Sequence, residues 1–125
     1  MTTVIRADDA PRFDIPGVTF AGGAAPSRGT DQLCVWRLTI DAGHVSDTHH
    51  TIDRDEVFTV VSGRVRFGPD QPELGPGDVA IVRAGEPIAV ANPGTAPAEL
   101  VVAITAGFTA MTADGTPIGT PPWAA

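Results

Sequence analysis

Apolar positions recur in short runs with a period of two, and no stretch holds helical periodicity over three turns. Leu33–Ile40 alternates, with Cys34, Trp36, Leu38 and Ile40 on one face and Arg37 and Thr39 on the other, the pattern of a half-buried strand. Residues 57–61 are β-branched and aromatic, Ser62-Gly63 closes that run, and 64–67 alternates again after the turn. A turn cluster at 74–78 precedes an apolar strand at Val79–Val82, and a second turn at 84–87 precedes another at 88–91. Asn92-Pro93-Gly94 is a further turn, and 100–104 is the last clear strand. Short strands punctuated by turns predict an all-β sandwich or closed barrel. The expected organisation is one domain: an arm over 1–30 carrying one or two strands, a barrel core over 31–108, and an extended proline-rich tail over 109–125, with Trp123 anchoring the tail or reaching a neighbouring subunit.

Composition narrows the function classes. Of 125 residues 42% are hydrophobic, enough for a core, while 14 Gly and 12 Pro are spread along the chain as turn residues are. All eight cations are Arg, against fifteen Asp and Glu, for a net charge of -7. That balance opposes binding to nucleic acid or to an anionic membrane surface. Without Lys there is no Schiff-base chemistry, and without Tyr no phenol serves as an acid. Cys34 is the sole cysteine and lies in an apolar run, so it reads as a buried structural thiol. The N-terminus lacks an apolar signal core, and no run approaches the about 20 apolar residues of a membrane span, so a cytoplasmic location is expected.

Residues 43–63 read Gly-x5-His-His-Thr-x4-Glu-x6-Gly, and residues 77–92 read Gly-x5-Arg-x-Gly-x2-Ile-x3-Asn. The pair resembles the two motifs of the cupin superfamily, with Gly43, His49, Glu56, Gly63, Gly77, Gly85 and Asn92 on the fixed positions. Thr51 stands at the second histidine position, Arg83 at a proline and Ile88 at the third histidine. The resemblance implies a small single-domain cupin of the cupin-2-like kind: a double-stranded β-helix, or jelly-roll barrel, enclosing a small-molecule pocket. In metal-binding cupins two histidines and a glutamate of the first motif and a histidine of the second hold the ion. Here His49 and Glu56 remain, with His50 as a third candidate ligand, so the expectation is no cofactor or one weakly held divalent metal.

Adjacent strand residues point to opposite faces. If His49 points inward, His50 points out, and a one-residue slip puts Thr48 and His50 inside instead. His44 lies off the motif. The expected catalytic set is Glu56, His49 and Thr51, in a pocket walled by Trp36, Leu38, Ile40, Phe58, Val60, Ile88 and Val90. Such a pocket suits acid–base chemistry on a small hydrophobic molecule: isomerisation, cyclisation or dehydration. The resemblance adds the role of an accessory enzyme in a bacterial small-molecule pathway. Two alternatives stand beside it: a metal-dependent dioxygenase or isomerase with a reduced ligand set, and a non-catalytic binding module. Arg64 and Arg66 share a strand face, either holding an anionic substrate or facing solvent. Exposed edge strands lead to the expectation of a homodimer.

Overall fold

The computed structural model describes all 125 residues. It contains nine strands and three short 3-10 turns, with no α-helix. The strands are β1 (Arg12–Ile15), β2 (Val18–Gly22), β3 (Leu33–Ile40), β4 (His50–Ile52), β5 (Glu56–Ser62), β6 (Val79–Val82), β7 (Ala98–Thr105), β8 (Ala110–Thr112) and β9 (Pro117–Gly119). Six form one antiparallel sheet in the order β1-β2-β3-β7-β5-β6, and the others form a second layer, β4-β8-β9. Isolated bridges His50↔Ile88, Val45↔Ala91, Arg66↔Ala91 and Val65↔Leu74 extend that second layer. The two layers face each other as a double-stranded β-helix.

Alternation in the main sheet builds the core. Cys34, Trp36, Leu38 and Ile40 of β3 are buried, as are Leu100, Val102 and Ile104 of β7 and Glu56, Phe58 and Val60 of β5. Cross-strand register lines these residues up in rows, Trp36↔Val102↔Phe58 and Leu38↔Leu100↔Val60 among them. Asn92 is almost fully buried and ties the turn after it to the end of β3: its Nδ2 donates to the carbonyls of Ile40 and Ala96 (3.0 and 2.9 Å) while its Oδ1 accepts from the Gly94 amide. The motif asparagine thus satisfies a buried turn.

The two runs read as strands at 64–67 and 88–91 make only single bridges. Gly68 and Pro69 follow the first, Pro87 precedes the second and Pro93 follows it, and proline offers no amide to extend a ladder. The segment 1–30 supplies β1 and β2, a hairpin turning at Pro16-Gly17 and integral to the main sheet, because Val18 and Phe20 bury their side chains on its inner face. The tail supplies β8 and β9 and then folds back on its own chain. Trp123 stacks on Phe20 with ring centroids 3.7 Å apart, Arg28 Nη2 donates to the Trp123 carbonyl at 2.8 Å, and Cys34 Sγ donates to the Ala124 carbonyl at 3.3 Å.

Gly63 shows why a motif glycine is required. A bulge at Val61 shifts the pairing of β5 with β7 before its last pair, Ser62 with Glu99, and Gly63 then turns the chain with φ of +82°. A Cβ there would sit 2.7 Å from the Ala98 Cα, which is backbone and cannot yield. Gly63→Ala is expected to lose at least about 1–3 kcal/mol of folding stability, read by urea denaturation. A midpoint unchanged from wild type would show that this turn is not fixed as described.

Candidate active site

Between the layers lies a cavity of about 510 Å³. The main sheet contributes Val18, Phe20, Trp36, Leu38, Glu56 and Phe58; the second layer and its loops contribute His50, Ile52, Phe67, Ile88, Val90 and Phe108; and the tail contributes Trp123. His44, Ser46, Asp47, Thr48 and His49 bring its polar groups from the loop before β4. No Arg lines it, and the chain has no Lys.

Glu56 is the first residue of β5. Its register places it opposite Val82, on the same inner face as Phe58 and Val60. It is 2% exposed, and its Oε2 is buried with no hydrogen-bond partner. An unpartnered carboxylate in such surroundings is costly, so burial pushes its pKa up to about 8 and no cation or hydrogen bond counters the shift. At neutral pH Glu56 is a neutral carboxylic acid.

The histidines divide by strand geometry. In β4, His50 pairs with Ile88 on one side and Thr112 on the other, Ile52 pairs with Ala110, and both His50 and Ile52 line the cavity. Thr51, between them, pairs with Met111 and lies off the cavity. The expected place of Thr51 in the site is therefore corrected: alternation along β4 turns its hydroxyl away, and the slipped register holds. His49 is half-buried at the rim, on the wall shared with a second cavity of about 600 Å³. His50 keeps an exposed edge, yet its ring sits against the cavity wall. That burial, reinforced by neighbouring His49, lowers its pKa. His44 packs its ring over Gly17, where a Cβ would come within 2.1 Å of Nδ1.

Trp36, Leu38, Phe58, Ile88 and Val90 line the cavity, whereas Ile40 and Val60 are buried in the solid core beyond it and are not wall residues. Ile88 occupies a ligand position of the second motif with an apolar side chain. His49, His50 and Glu56 do not assemble a metal centre, because no three His, Cys, Asp or Glu side chains come together in a form that could hold an ion. That donor set does not fit a tightly held divalent metal. Arg64 and Arg66 flank Glu73 at 3.8 and 3.7 Å and stay out of the cavity. Asp53 and Asp55 are structural: their Oδ1 atoms accept from the Thr109 and Ala84 amides at 2.8 and 2.9 Å. Sequence reasoning missed Phe20, Phe67, Phe108 and Trp123 as wall residues. Their scarcity was a signal, for the chain has only five Phe and two Trp.

The family model for the cupin domain matches residues 36–104, more than half of the chain. The chain belongs to the cupin family. Comparison with curated proteins finds no match. Solved structures similar to this cupin include the polyketide cyclase RemF from Streptomyces resistomycificus, 16% identical, covering 84% of this chain and 80% of that one with a TM-score of 0.71. A cupin sugar phosphate isomerase from Silicibacter pomeroyi is 22% identical, covering 89% and 82% with a TM-score of 0.67. KdgF from Halomonas sp. is 19% identical, covering 84% and 94% with a TM-score of 0.68. At these identities the likeness is one of fold. No helix of this cupin is long and apolar enough to cross a membrane.

The buried acid gives this cupin a pH signature. The unfolded chain releases the Glu56 proton at about pH 4.3, while the folded chain keeps it up to about pH 8. The stability contributed by the neutral acid is complete below the first value, falls as pH rises between the two, and levels off above the second. The slope is at most about 1.4 kcal/mol per pH unit. Urea denaturation from pH 4 to pH 9 is expected to show this decline in wild type and to lose it in Glu56→Gln. Parallel curves for the two proteins would place the Glu56 carboxyl in water.

Proposed function

We propose that this cupin is an enzyme that binds a small hydrophobic organic molecule and moves a proton on it, in an isomerisation, cyclisation or dehydration. The observation that carries the reading is Glu56, a buried carboxyl without a partner facing an apolar cavity. A core has no structural use for such a group, since an apolar residue would fill the place at lower cost. Polyketide cyclase and isomerase activities among proteins of similar fold are compatible with the reading.

The chemistry rests on two opposite shifts. Burial raises Glu56 and lowers His50, so at neutral pH one is a neutral acid and the other a neutral base on the same cavity. Glu56 donates its proton to a developing oxyanion or leaving oxygen, and the imidazole at the mouth takes one from carbon. His49, beside His50 at the rim, is the alternative acceptor. In an isomerisation the imidazolium returns its proton to another carbon while the carboxylate recovers its own from the product hydroxyl. In a loss of water the imidazolium proton passes back to the carboxylate through the mouth, and either way both groups are restored without a bound metal. We place the reaction in a bacterial small-molecule pathway, as the family resemblance implies.

Glu56→Gln keeps the shape and removes the proton. Turnover is expected to fall by about 10²–10⁴-fold, with stability at pH 8 equal to or above wild type. Wild-type kcat should decline as pH rises through about 8 and survive dialysis against EDTA. Undiminished turnover in a folded Glu56→Gln protein would remove Glu56 from the mechanism. Loss on dialysis restored by a divalent ion would favour the metal-dependent reading instead.

A further inference from the structure

The cavity gathers six of the chain's seven aromatic side chains, Phe13 being the exception. They are arranged in pairs, each joining a ring on the inner face of the main sheet to one from a segment outside it. Phe20 of β2 stacks on Trp123 at 3.7 Å, Trp36 of β3 on Phe108 at 6.1 Å, and Phe58 of β5 meets Phe67 at 4.7 Å, tilted 49°. Phe108 is itself fully buried and supports Trp36, so the rings that reach the cavity lie on several walls rather than gathered round one point, as a cage for a small cation would require. Between the pairs the wall is aliphatic, from Val18, Leu38, Ile52 and Ile88.

Charge restricts the occupant further. The nearest acidic groups, Glu56 and Asp47, line the cavity, and no Arg does. An anionic ligand would lose its hydration there without a guanidinium to replace it. A volume of about 510 Å³ lies within the range of small-molecule sites, about 300–1,000 Å³, and exceeds what a single ring needs.

We infer that the occupant is a flat, uncharged ring system of two or more fused conjugated rings, with its polar substituents directed to Glu56 inside and to the histidines at the mouth. This rests on the cavity being the substrate site, as proposed above. The class excludes sugar phosphates, carboxylated sugars and small quaternary amines. Ring faces and edges prefer one another to saturated carbon, so planarity, not hydrophobicity alone, should govern affinity.

Titration calorimetry at pH 7 tests the inference with 2-naphthol, its saturated counterpart decahydro-2-naphthol, 2-naphthoate, and 2-naphthyltrimethylammonium. 2-Naphthol is expected to bind at least about tenfold more tightly than each of the other three. Phe58→Leu should weaken 2-naphthol about tenfold and leave decahydro-2-naphthol within about threefold. Phe67→Leu, at a half-buried position, serves the same purpose if Phe58→Leu does not fold. Equal binding of the saturated alcohol, tighter binding of either charged probe, or no binding of 2-naphthol would overturn the inference. The two readings fail separately. Lost turnover in Glu56→Gln with a failed probe series leaves acid–base chemistry standing without the flat-ring class. Full turnover in that variant with the expected series does the reverse.

Discussion

The inward and outward alternation of side chains across the main sheet sets both the core and the site. Each inner row crosses β3, β7 and β5 in register, so the burial of Trp36, Val102 and Phe58 fixes which neighbours also point inward. Glu56 belongs to that same inner set. A slip of one residue would carry the whole apolar set of β5 to the outer face, and the acid cannot leave the interior without it. The cost of burying one carboxyl is therefore held in place by the burial of its strand. The same constraint acts on a smaller scale in β4, where pairing with Ala110 and Ile88 puts Ile52 and His50 on the cavity and Thr51 off it.

The chemical consequence is a separation of two titrating groups by environment. Glu56 lies against hydrocarbon with an unpartnered oxygen, and His50 lies at a mouth beside a second imidazole. Burial disfavours the charged form of each, so the acid stays protonated and the base stays free. A neutral pair needs no counter-ion, and the cavity contains no arginine. The aromatic pairs around it supply surface and shape.

Much of this was legible in the sequence. Alternation over Leu33–Ile40 and the β-branched run of 57–61 marked the inner faces of β3 and β5, and the spacing of motif glycines with Glu56 and Asn92 marked the fold. The bridges at 64–67 and 88–91 read as strands, the first because hydrophobicity alternates there and the second because it is an apolar run between turns, but proline and glycine interrupt their ladders. One or two strands were expected in the arm, but the hairpin of β1 and β2 was not placed in the main sheet, because Val18 and Phe20, which bury it, stand among small and polar residues. Phe20 and Trp123, near opposite ends of the chain, meet only through tertiary folding. The choice between His49 and His50 could not be made from periodicity, since either register was self-consistent. Pairing with Ala110 and Ile88, distant in the chain, puts His50 on the cavity, and the loop before β4 brings His49 to its rim as well.

The central claim is that Glu56 is a neutral acid in an apolar interior at physiological pH. Carbon-detected NMR of protein labelled at the glutamate side-chain carboxyl carbon, with Glu56→Gln to assign the signal, follows that group directly. The Glu56 resonance is expected to titrate near pH 8. A midpoint in the ordinary range, about 4.3, would contradict the account, because a carboxyl ionised at neutral pH would need solvent or a partner that this cavity wall does not supply.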